Sequence, residues 1–243
     1  MKKTNYFYID ETGHVNNDSK SYMYGCLKTD SASEITNALE RLKTELAEDL
    51  YLQFEAEKIL TDGFHAVDNH FDVRASYYKL LPFLNVRAFF VVMFKETSYY
   101  EDLKSRMKDF EIIEMMLEKL IVPRILKNKG DRNIFIVENL DVEGKSQNKI
   151  LDDIFGRFKN RFDVEYEIKG KDEINLSTVD YFNYNLIHIL NSKGKPDIRA
   201  TQTFEILKKR IALIYIFNND SFYSRKAAVD KRIEVDNLKN LGR

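Results

Sequence analysis

A single cysteine, Cys26, excludes an intramolecular disulfide and a cysteine-based metal site, and its apolar neighbours suit a small buried residue. Proline and glycine are scarce, at 3 and 9 in 243 residues, and no tract is of low complexity or repeated, so no linker announces a boundary. The expectation is one domain over residues 1–243, with a helical insertion at about 31–82 and a basic helical C-terminal extension at about 191–243. No apolar run approaches a membrane span. The one behind the basic start is broken by Asp10 and Glu11, too early for a signal-peptide core. A cytoplasmic, soluble protein with no membrane partner is therefore expected. Net charge is only −1, which argues against a strongly basic nucleic-acid coat protein, and no zinc finger or recognisable RNA-binding signature is present. The balance is uneven, however. Residues 191–243 carry 12 Lys and Arg against 6 Asp and Glu, leaving 26 against 33 elsewhere. Such a basic segment is either a phosphate-facing surface beside an acidic centre or a solvated helical face.

The hydrophobic content of 44% is enough for a core, and its pattern predicts an α/β fold. Residues 6–13, Tyr-Phe-Tyr-Ile-Asp-Glu-Thr-Gly, read as a buried strand that ends in two carboxylates and a turn. A polar turn at Asn16, Asn17 and Asp18 leads to a second strand around 22–27. A capping box of Ser31 and Glu34 then opens a helix near Ser33. The pattern is ambiguous over 51–59 and breaks at Gly63; a helical segment follows to Pro82. Residues 86–94 form the clearest strand, rich in β formers. A long helix is expected over about 99–127, kinked or ended by Pro123. Residues 133–139 repeat the opening theme, a buried strand running out into an acid, Glu138. Residues 146–160 read as helix, 162–168 as an alternating edge strand, 177–190 as an apolar helix with Asp180 near its middle, and 203–217 as another amphipathic helix. The result is a mixed sheet of five strands flanked by helices, with the insertion between strands two and three.

Alternation along a strand sends Asp10 and Glu11 to opposite faces, with Tyr6 and Tyr8 beside Asp10 and Phe7 and Ile9 beside Glu11. This pattern alone leaves the choice open. Asp10 is taken as the candidate ligand, against the alternative of a solvated acid pair opening a hairpin turn. If the first and fourth strands are parallel neighbours, Asp10 and Glu138 emerge side by side, and Asp180 closes the cluster. Three carboxylates held together repel one another unless a cation sits among them, and Mg²⁺ or Mn²⁺ are the hard ions such oxygens prefer. Each acid has a plainer reading: a buried ion pair for Asp180, and a partner in Lys145 or Lys149 for Glu138. The aromatic stretch of Tyr181, Phe182 and Tyr184 reads as core packing before a base-stacking platform. Lys169 and Lys171, with Lys208, Lys209 and Arg210, read as phosphate contacts or as solvated surface.

Three stretches together resemble the domain of unknown function 3800 family, whose fold is ribonuclease H-like: Tyr8-Ile9-Asp10-Glu11-Thr12-Gly13, Phe64-His65-Ala66-Val67-Asp68 with Val73-Arg74, and Leu176-Ser177-Thr178-Val179-Asp180-Tyr181. The resemblance spans most of residues 6–190. It implies metal binding by Asp10 and Asp180 and an unassigned role for His65. Glu138 stands where ribonuclease H-like enzymes usually have an aspartate, and Ser177 where the family has a glutamine. Such enzymes also often add a glutamate from the long helix, where Glu111, Glu114 and Glu118 are available. The expected activity is divalent-metal-dependent hydrolysis of phosphodiester bonds in DNA or RNA. In it Asp10, Glu138 and Asp180 hold the metal, Glu11 and His65 assist at the catalytic site, and Lys169 and Lys171 bind substrate. The alternatives are a non-catalytic ribonuclease H-like module that binds a protein or nucleic acid within a larger assembly, such as one for defence against mobile elements, and a hydrolase of small nucleotides.

Overall fold

A computed structural model describes residues 2–15, 19–170 and 172–241, so the expected turn at Asn16, Asn17 and Asp18 lies outside the described residues. The protein is α/β, built on one mixed sheet of seven strands in the order β5-β4-β1-β2-β3-β6-β7. The strands are β1 (Thr4–Thr12), β2 (Ser21–Thr29), β3 (Arg87–Phe94), β4 (Arg132–Glu138), β5 (Val164–Lys169), β6 (Ile211–Ile216) and β7 (Ser221–Ser224). The first three pair antiparallel with one another in turn, β1 with β2 and β2 with β3. β4 joins β1 in parallel and β5 joins β4 in parallel, while β6 pairs with β3 in parallel and β7 turns back on β6.

Helices cover both faces: α1 (Ala32–Ala47), α2 (Gln53–Asp62), α3 (Phe71–Leu80), α7 (Leu176–Leu190), α8 (Ile198–Leu207) and the short α9 (Val235–Leu238) lie on one side. On the other lie α4 (Ser98–Arg106), α5 (Asp109–Lys127) and α6 (Gln147–Gly156). Alternation along the strands feeds the two cores separately. Tyr8, Met23, Phe90 and Ile136 pack toward α7, whereas Phe7, Ile9, Val91 and Phe135 pack toward α5. Among the described residues no helix is long and apolar enough to cross a membrane.

Several local expectations change. The sheet has seven strands, not five, because the C-terminal segment is not wholly helical: α8 ends at Leu207, and Ile-Ala-Leu-Ile-Tyr-Ile forms β6 against β3. That run of β-branched and apolar residues is too short for periodicity to separate strand from helix, and the open edge of β3 decides it. The expected helix over 99–127 is two helices, broken at Met107 and Lys108, and Pro123 lies inside α5 without ending it. The Ser31 side chain does not cap α1; its hydroxyl donates to Asp30, and its backbone carbonyl accepts from Glu34 N–H at 3.1 Å. Cys26 is fully buried, and burial pushes its thiol up to about 12.

Candidate carboxylate site

The site follows from strand parity. Tyr8 and Ile136 face α7, so Asp10 and Glu138, each two residues further along, face it too. Because β1 and β4 are parallel with Ile9 opposite Val137, the two acids leave the sheet side by side at the same edge. Their carboxyls lie within interaction range of each other, two like charges at one edge of the sheet. Asp10 is only 5% exposed. Burial, the side-chain contact with Glu138, and the charges of Glu138, Glu11 and Asp180 together hold the Asp10 carboxyl well above the usual aspartate range.

Asp10 is held from behind by Asn183 of α7, whose amide donates to the Asp10 carbonyl at 3.2 Å and to Oδ2 at 3.4 Å. The approach is possible because Gly25 sits opposite Asp10 in β2; a Cβ there would collide with Asn183 Oδ1 and lie 2.9 Å from Val179 Cγ1. Glu138 is fixed through its backbone: Gln147 donates to the Glu138 carbonyl at 2.7 Å and accepts from Leu140 N–H. Neither Lys145 nor Lys149 meets Glu138. Lys145 pairs with Glu114 and Asp153, and Lys149 with Asp153, which removes the plainer reading of this acid.

These acids open into a cleft of about 590 Å³ between the strand ends, α1, α7 and residues 61–68. Glu11 points to the other face of the sheet, yet it still borders the cleft because β1 ends there in the Thr12–Gly13 turn. Asp180, half-buried, accepts the Ala66 N–H at 2.7 Å. From the same residue, the Ala66 carbonyl accepts from Arg74 Nη1 at 3.0 Å. Two of the stretches singled out in the sequence are thus joined at Ala66. His65 lines the cleft, and its Nε2 lies 3.1 Å from the Asp62 carbonyl. Gly63 supplies the turn into this loop with φ of 78°, a region that favours glycine.

The structure does not bring every candidate here. Lys169 is outside the cleft and pairs with Glu167 at 3.0 Å, and Lys171 lies outside the described residues. The α5 glutamates are used elsewhere: Glu111 accepts from Lys108 N–H, Glu114 pairs with Lys145, and Glu118 pairs with Arg157. The aromatic stretch divides, with Tyr181 and Phe182 in the core and Tyr184 half-buried on a groove. Three contributors were not anticipated. They are Asn183, Gly25 and Lys43 of α1, which is the one lysine or arginine among the described residues that lines the cleft. An Asn in an apolar helix facing a Gly in a strand is a signal for the first two. Nothing local marks Lys43.

Among the described residues no three His, Cys, Asp or Glu side chains are gathered so as to hold a metal ion. The donor chemistry nonetheless suits a hard cation: Asp10 and Glu138 present carboxylate oxygens side by side, and their mutual repulsion, with burial, raises the Asp10 pKa. No protein-family model matches this sequence, and no curated protein matches it either.

Proposed function

We propose that this protein is a divalent-metal-dependent phosphodiester hydrolase acting on DNA or RNA, with a ribonuclease H-like core. The observation that carries the reading is the pair of adjacent carboxylates, Asp10 and Glu138, at the ends of two parallel strands, with Glu11 and Asp180 adding negative charge around them. Such a concentration of like charge is costly unless the site exists to receive a cation. The strand order supports the fold assignment: three antiparallel strands in sequence, then two parallel strands added beside β1, with β6 and β7 extending the other edge.

Asp10 and Glu138, with Asp180 across the cleft, would hold Mg²⁺ or Mn²⁺. The bound ion would supply the positive charge that polarises a phosphoryl oxygen and eases deprotonation of the attacking water. The chain's own groups have distinct tasks in this scheme. Asn183 and Gly25 fix the Asp10 backbone, Gln147 fixes that of Glu138, and the Asp180 bond to Ala66 holds the loop that carries His65. Lys43 faces the acids as a contact for a substrate phosphate.

A labelled panel of single- and double-stranded DNA and RNA, incubated with Mn²⁺, Mg²⁺ or chelator, tests this reading. Cleavage is expected only with metal, and Asp10→Ala and Glu138→Ala are each expected to lose about 10²-fold or more, the scale of removing a group that stabilises developing charge. Mn²⁺ should also raise the melting temperature of the wild type, more so at higher pH, because the ion binds the ionised form of Asp10, whose pKa is raised. Full activity in Asp10→Ala would sink the assignment. The second reading, a non-catalytic binding module, is favoured by the absence of a three-ligand group among the described residues and by the commitment of Asp180 Oδ2 to Ala66. It becomes the conclusion if the wild type neither cleaves nor gains stability from Mn²⁺.

A further inference from the structure

A second groove of about 580 Å³ lies between α3, α7 and α8, on the other side of the loop that Asp180 holds. Its wall is a ladder of a cation and rings. The Arg74 guanidinium sits 5.2 Å over the Tyr184 ring, and the Tyr184 and His188 rings are 4.3 Å apart, with His188 exposed at the end. Arg199, exposed at the start of α8, adds a second guanidinium, and Phe71 adds a ring that is 53% exposed. The acid bordering the groove, Asp197, is occupied with the backbone N–H groups of Arg199 and Ala200. At the base lies Asn185, 4% exposed, which donates to the Ala200 carbonyl at 3.0 Å. Its Oδ1 is left buried without a protein partner.

Resting on the nucleic-acid reading of the cleft, we propose that this groove holds an unpaired base and the adjoining phosphates of a single-stranded nucleic acid. Stacking on aromatic faces is open to any base, and the two arginines complement the backbone. The Asn185 oxygen beneath is sealed from solvent, so recognition rests on the ladder and the two arginines. A duplex, whose bases are already stacked and paired, offers the ladder nothing. The groove is tied to the cleft through one residue, since Ala66 gives its N–H to Asp180 on the cleft side and its carbonyl to Arg74 on the groove side.

The test uses the whole chain as Asp10→Asn, with fluorescent oligonucleotides of about 12 residues, a length within the range of single-strand sites. Single-stranded DNA, single-stranded RNA and duplex are compared by anisotropy at low and moderate salt. Tighter binding of a single strand than of duplex is expected, and the DNA and RNA arms identify the sugar. His188→Ala with Arg199→Ala, both at exposed positions, should weaken single-strand binding about tenfold or more without moving the melting temperature. Tyr184→Phe should keep most of the affinity, because the ring is retained. Unchanged affinity in the double variant, preference for duplex, or no binding of any oligonucleotide would each overturn the proposal. Single-strand binding that depends on the groove, without cleavage by the wild type, would keep the groove and discard the hydrolase. Cleavage with groove variants indistinguishable from the parent would do the reverse.

Discussion

The two faces of the sheet are packed by different chemistry. Toward α5 and α6 the interior is mostly hydrocarbon, with Ile112, Met116, Leu117, Leu120 and Ile121 laid over Phe7, Phe135 and Val137. The acids at its margin meet cations, Glu114 with Lys145 and Glu118 with Arg157. Toward α7 polar groups enter the core: Asn175 donates to the Tyr8 and Thr36 hydroxyls, Tyr77 bonds Ser177, Tyr181 donates to Asn69, and Asn183 donates to Asp10. Here Asp10 and Glu138 have each other, and among the described residues neither forms an ion pair. The α5 face is mostly hydrocarbon, its one buried cation being Arg124 over the Phe89 ring among the described residues. The other accepts buried polarity and like charge, which native structures keep where a site requires them.

Three experiments can break or sharpen this contrast. The largest stability effect belongs to the hydrocarbon face: Leu120→Ala removes a fully buried side chain and should cost about 2–5 kcal/mol, read by denaturant unfolding. It should leave any Mn²⁺ stabilisation intact, and a loss of that stabilisation would show that the two faces are not separable. On the polar face, Gly25→Ala forces Asn183 and Val179 aside and should cost about 1–3 kcal/mol. The cost should shrink in an Asn183→Ala background, and an undiminished penalty would put the conflict elsewhere.

The smallest effect is a pH dependence. The folded-state pKa of Asp10 is raised above its unfolded value near 3.8, so its contribution is fully favourable below that pH and is lost as pH rises through the folded value. Asp10→Asn keeps the shape and removes the charge. It should therefore flatten this fall in stability and leave the variant at least as stable as the wild type at neutral pH, as read by melting temperature across the acid range. A variant less stable than the wild type at neutral pH would mean that the carboxylate is stabilised by partners the geometry does not reveal.

Much of this architecture was legible because it rests on local chemistry. Strands β1, β3 and β4 are dense in β-branched and aromatic residues, and two of them run into acids, so the strands and their terminal acids could be anticipated from pattern, while the parallel pairing that sets Asp10 beside Glu138 entered only as a condition that the fold meets. Strand β6 could not. Ile211–Ile216 satisfies helix and strand patterns equally in so short a run, and pairing with β3 on one side and β7 on the other takes up its backbone groups.

The site divides along the same line. Alternation determined which face each strand residue takes, and chain order brought Asp10, Glu138 and Asp180 into the lining of one cleft. Tertiary structure decided what each acid touches: Asp180 holds the Ala66 peptide, Lys145 passes Glu138 by for Glu114, and Asn183 reaches Asp10 over a glycine. The physical reason is range. Side-chain direction is fixed within two to four residues, whereas a hydrogen-bond partner or an electrostatic neighbour is chosen by whatever the fold brings within a few ångströms, often more than a hundred residues away.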